Sequence, residues 1–298
     1  MISIIKYYSQ LLKFRLSLTV VISASAGYLI GVTNFQINEF LLLIAGGFLV
    51  TGSANGFNQI LEKDYDGLMR RTEDRPLPKK QLNSKSAVLF SFLIGVIGLY
   101  LLSLIKPHGS FYGYLSKSSA FGLLSLMIYV LSYTPLKRMS TVSIFVGAIP
   151  GAIPVMLGWV AATNQFGLAV GILFAIQFLW QFPHFISIAW IRDDEYKKAG
   201  FKMMYGGKKG AYPAYISFIC AIFMTLVSII PFFIDLKILS LSIFGFIIIL
   251  SLGLWFVYNC FNLLIKLDNM SAKKLMMSSL IYLPLMQLVY VIDKWIFM

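Results

Sequence analysis

Charge is scarce in this chain, and acidic charge is scarcest. Only 12% of the 298 residues are charged, 12 of them acidic against 25 basic. With 58% hydrophobic residues and a mean hydropathy of +0.80, the chain lacks the polar surface that a soluble globular domain of this size needs. Cysteine is nearly absent too. Cys220 and Cys260 both lie in apolar runs, which argues against a disulfide framework and against a Cys-based metal site. No Gly/Ser-rich linker or polar insert divides the sequence, so residues 1–298 read as one domain. The N-terminal stretch MISIIKYYSQLLKFRLS has no small-residue cleavage site and no Arg- and Ser-rich transit character, so its first apolar run reads as a retained helix.

What the chain does have is apolar length. Nine runs recur, at about 16–34, 40–60, 87–106, 118–135, 141–162, 167–191, 212–234, 238–264 and 276–297. Each is long enough to cross roughly 30 Å of hydrocarbon. Backbone groups in lipid must bond internally, so the runs predict helices. The expected fold is all-α: a polytopic bundle of about nine transmembrane helices around a central cavity open to the cytoplasmic face.

Basic residues set the expected orientation. The N-terminal segment and the loops after even-numbered spans hold 21 of the Lys and Arg residues, and the other side holds Lys106, Lys117, Lys237 and Lys294. This asymmetry predicts a cytoplasmic N-terminus and an external C-terminus, with a bacterial-type plasma (inner) membrane as the default. The net charge of +13 then needs no nucleic acid. It marks a face attractive to anionic membrane lipid and to an anionic substrate.

Eight of the 12 acidic residues fall in two short regions on that basic side: Glu62, Asp64, Asp66, Glu73 and Asp74, then Asp193, Asp194 and Glu195. The regions lie four spans apart, as a four-helix unit used twice would place them. In the first, Asn58, Glu62 and Asp66 recur every fourth residue. Each such step turns about 40° past one helical turn, so the three share a face. A solvated helix end with i,i+4 ion pairs such as Asp66/Arg70 is the plain alternative, but it gives no use to Asn58, inside the apolar span. Carboxylates beside a bilayer, facing Arg70, Arg71 and Arg75, point to a divalent metal holding a phosphate-bearing ligand.

The second region follows WQFPHFISIAWIRDDEY, residues 180–196, where His184, Ile188, Arg192 and Glu195 are expected near one helical face. His184 is either a hydrogen-bonded interhelical residue or a functional one. The other histidine, His108, reads as a solvated loop residue on the opposite side. Between the regions lies SYTPLKRMSTVSIFVGAIPGAIPVMLGWVA, residues 132–161. Its Tyr133, Lys137 and Arg138 face the acidic side, as interfacial anchors or as site residues. Pro150, Pro154, Gly147, Gly151 and Gly158 allow a kinked, closely packed helix.

The N-x-x-x-E-x-x-x-D run at 58–66 with MRRTEDRPLP, the YTPLKR segment, and WQFPHF followed by EYKKAGFKMM resemble the protohaem IX farnesyltransferases, the haem branch of the UbiA-type superfamily of intramembrane prenyltransferases. The likeness runs from about residue 50 to 210. It implies Mg²⁺-dependent transfer of the farnesyl group of farnesyl diphosphate to a vinyl group of haem b, giving haem O. It implies Mg²⁺-diphosphate bound by Asn58, Glu62 and Asp66 on one side and by Glu195, with Asp194 or Asp193, on the other. Arg70, Arg75, Lys137 and Arg138 would hold the diphosphate, and Tyr133 and His184 would face the substrates, His184 toward the haem. Asp66, Glu195 and Lys137 would be the catalytic groups. A transient contact with haem A synthase or with terminal-oxidase assembly also follows. The chain departs from the pattern at Glu62 and Glu195, where Asp is usual, and at Gln59, where the superfamily's leading Asp stands. Two other readings compete: a prenyltransferase acting on a quinone precursor, and a transporter with a midplane polar site.

Overall fold

The computed structural model describes residues 2–106, 115–234 and 236–297, so His108 lies outside the described residues. The chain forms α1 (Ile2–Leu11), α2 (Phe14–Gly31), α3 (Ile37–Asp66), α4 (Ser84–Ser103), α5 (Lys117–Met127), α6 (Thr134–Met139), α7 (Val142–Thr163), α8 (Leu168–Ile191), α9 (Asp193–Lys198), α10 (Ala211–Phe233), α11 (Ile243–Lys266) and α12 (Asn269–Phe297). A π-helical turn, Ile128–Tyr133, joins α5 to α6. Among the described residues nine helical spans are long and apolar enough to cross a membrane, with α5, the π turn and α6 forming one of them. The protein is an all-helical, multi-pass membrane protein.

The N-terminal end differs from expectation. The first span begins at Phe14 and ends at Gly31, and a separate helix, α1, precedes it. Lys13 adopts left-handed φ/ψ (46°, 56°), which breaks the helix and makes an elbow. The carbonyls that the end of α1 leaves over need donors. They find them on α3: Gln59 Nε2 donates to Leu11 O at 2.7 Å and to Gln10 O at 3.2 Å, and Asn55 Nδ2 donates to Leu12 O at 3.4 Å.

Helix pairs pack in two circuits that share α2 and α7. One runs α2–α3–α4–α5–α7 and the other α2–α7–α8–α12, with α10 and α11 closing against α8 and α12. The order of neighbours in α2 to α5 is repeated in α7, α8, α10 and α11, in keeping with a four-helix unit used twice. The α2–α7 contact is close enough that only glycine fits. A Cβ at Gly158 would stand 1.8 Å from Ala24 O, and one at Gly27 would stand 2.0 Å from Val155 O. In lipid, such close backbone approach supplies the dispersion energy that holds helices together. Pro154 has no N–H for the Pro150 carbonyl, and Ser125 Oγ donates to it instead, at 3.4 Å.

At one end of the bundle, lysines close helix C-termini. Lys106 Nζ pairs with Glu39 at 2.9 Å and donates to Ala161 O at 2.9 Å, Lys117 Nζ donates to Asn164 O at 2.7 Å, and Lys294 Nζ donates to Ile30 O at 2.7 Å. Each ammonium meets carbonyls that the helix itself cannot satisfy, at the negative end of its dipole. The polar cluster predicted from sequence lies at the other end.

Candidate active site

Asn58, Glu62 and Asp66 lie on one face of α3, as their spacing predicts, and all three are buried, at 1%, 6% and 1% exposure. Polar groups at that depth are costly unless matched. Each is matched from a different segment. Lys13 Nζ donates to Asn58 Oδ1 at 2.9 Å, Lys137 Nζ to Glu62 Oε1 at 2.9 Å, and Arg75 Nη1 to Asp66 Oδ2 at 2.6 Å. Asn58 Nδ2 in turn donates to Thr134 Oγ1 at 3.3 Å.

Local structure explains these meetings. Thr72 Oγ1 donates to the Asp66 carbonyl at 2.8 Å, capping the end of α3, and Arg75 N–H donates to Thr72 O at 3.0 Å. The RTEDRP segment therefore folds back and lays Arg75 on Asp66. Across the site the π turn does similar work. Tyr129 O accepts both the Thr134 N–H, five residues on, and the Thr134 hydroxyl at 2.8 Å. Pro135, next in line, has no N–H to offer. The widened turn carries Thr134 and Lys137 to α3. Lys137 Nζ sits 4.5 Å from the Tyr133 ring centroid, and Tyr133 packs so closely on Gly147 that a Cβ there would be 2.6 Å from the ring. Arg138 stacks 4.0 Å over the Tyr65 ring and donates to its hydroxyl.

Lys13 is the residue that sequence reasoning missed; it had counted only toward topology. Burial lowers its pKa from 10.5 to about 7, the charges of Arg75 and Lys137 push the same way, and Glu62 and Asp66 oppose them. The elbow that places it depends on contacts with α3 rather than on a local motif. Thr134 was likewise passed over, although it stands inside the quoted YTPLKR segment.

The second acidic region reaches the same end of the bundle. Phe201 meets both Tyr196 (6.1 Å) and Tyr65 (6.0 Å) edge to face, and Lys202 N–H donates to Lys137 O at 2.6 Å. Glu195 Oε1 accepts from Arg192 at 3.1 Å, while its Oε2 is buried and without a partner. Asp193 is the buried aspartate, held by Lys197 at 2.7 Å, whose pKa that hydrogen bond raises. Asp194 is exposed.

Two expectations need correction. His184, Ile188 and Glu195 do not share one helix, because Arg192 (φ −106°, ψ 14°) ends α8 and α9 starts afresh. His184 turns to α12 instead, with Nδ1 2.8 Å from Ser279 Oγ. Arg70 is exposed, and Asp66 pairs with Arg75 in its place. Among the described residues no three His, Cys, Asp or Glu side chains come together as a metal-binding group. The reason is visible in the pairs above: each carboxylate is held to its own cation. Gln59, where the superfamily's leading acid stands, is fully buried and serves α1 through its amide donor, a task no carboxylate performs. A cleft of about 610 Å³ next to this end is lined by Lys63, Asp64, Lys80 and Asn83, not by Glu62 or Asp66.

This nine-span bundle is the fold of intramembrane prenyltransferases. It superposes on a solved digeranylgeranylglyceryl phosphate synthase with a TM-score of 0.79 at 22% identity, covering 97% of this chain and 98% of that one. A UbiA homologue from Archaeoglobus fulgidus, solved bound to DMAPP and Mg²⁺, gives 0.69 at 15% identity, covering 96% and 99%. Residues 20–281 match the UbiA prenyltransferase family, and the chain belongs to that family. It is 40% identical over 297 residues to the protoheme IX farnesyltransferase of Flavobacterium psychrophilum, covering 99% of this chain and 96% of that protein.

Proposed function

We propose that the protein transfers the farnesyl group of farnesyl diphosphate to a vinyl group of haem b, giving haem O. The observation that carries this reading is the buried face Asn58–Glu62–Asp66, ringed by Lys13, Arg75 and Lys137, in a chain 40% identical to a protoheme IX farnesyltransferase.

The donor set suits Mg²⁺. Asn58, Glu62, Asp66 and Glu195 offer only hard oxygens, and Glu195 Oε2 is a buried acceptor with nothing bound to it. These four would hold the metal, which supplies charge neutralisation to a leaving diphosphate. With the carboxylates on the metal, Lys13, Arg75, Lys137 and Arg138 would be the cations available to the diphosphate oxygens. The allylic C–O bond breaks with its electron pair going to the diphosphate. The terminal vinyl carbon then supplies the pair for the new C–C bond. Water adds to the cation left on the inner vinyl carbon and loses a proton, which gives the hydroxyl. The Tyr129 and Tyr133 rings lie tilted at 48° with centroids 5.2 Å apart, Tyr133 under Lys137, and their faces suit an allylic cation.

The same reading puts the Lys- and Arg-rich end in the cytoplasm of a plasma (inner) membrane, with the N-terminus inside and the C-terminus outside. It also makes haem A synthase, or terminal-oxidase assembly, the natural receiver of the product. The test is product mass. Membranes carrying the protein, given haem b and farnesyl diphosphate, are expected to yield haem heavier by one farnesyl and one hydroxyl group only when Mg²⁺ is present. A farnesylated quinone precursor with unmodified haem would overturn the assignment.

A further inference from the structure

His184 stands in α8 away from the oxygen cluster, and its hydrogen bonds fix its protonation. Nδ1 is 2.8 Å from Ser279 Oγ, and Ser279 Oγ is 2.6 Å from the Met276 carbonyl. A carbonyl only accepts, so the single hydroxyl proton of Ser279 is committed to Met276. The contact with His184 therefore needs its proton on Nδ1, which leaves Nε2 of the neutral ring with a bare lone pair. No described group donates to Nε2, and it is not sealed in the interior, the ring being half-buried.

The plane of the ring is fixed as well. The Trp180 indole stacks on it at 4.7 Å and 15°, and Trp180 Nε1 is itself held by Ser279 O at 2.9 Å. One serine thus anchors both rings. A neutral imidazole, held through one nitrogen by a hydrogen bond and presenting the other bare, is how proteins offer histidine to a transition metal. Mg²⁺ prefers the oxygens on α3, whereas imidazole suits iron. The two chemistries are kept on different helices.

We propose that His184 Nε2 is an axial ligand to the iron of the haem substrate, with Ser279 as the positioning residue that sets the tautomer. The proposal rests on the haem reading given above. Ligation at the iron would pin one point of a flat, greasy substrate that apolar contacts alone leave free to slide, which is the orientation that a bimolecular bond formation requires.

The experiment titrates ferric haem b into purified protein in detergent, without farnesyl diphosphate, and reads the Soret band and the electron paramagnetic resonance spectrum. The expected result is a nitrogen-ligated spectrum that His184→Asn loses and added imidazole restores. Asn keeps a donor for Ser279 but has no second nitrogen, so a merely structural histidine would be rescued by it. Ser279→Ala should retain the ligand and weaken haem binding by about tenfold, the scale of second-shell losses. Independently of any variant of His184, ¹⁵N-histidine labelling in a His108→Asn background should alter the hyperfine coupling. Haem retained with a spectrum insensitive to both His184→Asn and the label overturns the ligand assignment alone. No haem retained by the wild type removes the substrate reading and this proposal with it.

Discussion

The amide of Gln59, on α3, donates to the carbonyl of Leu11 at 2.7 Å, so the helix that carries the acidic face also holds the N-terminal elbow in place. That elbow delivers Lys13 to Asn58 one residue away on the same helix. Gln59→Glu would set a carboxylate against two carbonyls in a fully buried position. We expect a loss of about 2–4 kcal/mol from the lost bonds and the unpaired acceptor. Thermal unfolding in detergent reads it, together with faster proteolysis within α1. An unchanged midpoint would show that the amide bond carries no weight.

Asp66→Asn keeps a partner for Arg75 but removes a charge from the proposed metal face. Farnesyl transfer should fall by about a hundredfold or more, as for loss of one preorganised electrostatic group, with the thermal midpoint nearly unchanged. Glu62→Gln should behave alike. Equal losses of activity and stability would instead assign both residues to packing.

Removing divalent metal is a separate check. A chelator should abolish product formation, and Mg²⁺ should restore it in full. Glu195→Ala should move the Mg²⁺ requirement to higher concentration, because the buried Oε2 without a partner is lost. Product formation indifferent to chelator would exclude the metal role for all four oxygen donors.

Helix contacts make their own prediction. Gly158→Ala forces a methyl group to 1.8 Å from a backbone oxygen on α2, which rigid backbone cannot yield. The cost should be about 1–3 kcal/mol or more. Gly171→Ala, where nothing lies within 4 Å, should be neutral or stabilise α8 by up to about 1 kcal/mol. A common effect of both substitutions on the melting curve would contradict the α2–α7 packing.

The spans were legible because lipid leaves an apolar segment one conformation, and the face of α3 was legible because four-residue spacing survives any packing. Arg75, Lys137 and Glu62 lie at the end of the bundle where the basic and acidic patterning put them, but their pairing, Lys137 with Glu62 and Arg75 with Asp66, was not legible. Lys13 was hidden because its place depends on a left-handed residue and on two α3 amides 40 or more positions away. The π turn was hidden because apolar periodicity cannot distinguish five-residue from four-residue hydrogen bonding over a single turn. Gln59 looked like a weakened acid, and only the carbonyls opposite reveal it as a donor. The face that His184 was expected to share with Glu195 failed because one helix was assumed to run through Arg192.

Lys106, Lys117 and Lys294 spend their ammonium groups on helix ends. These three cations are thus engaged with protein and give little grip on phospholipid head groups, while the opposite rim carries a surplus. Anionic lipid enriched in the leaflet beside that richer rim is therefore expected to strengthen the molecule's hold more than the same lipid in the other leaflet.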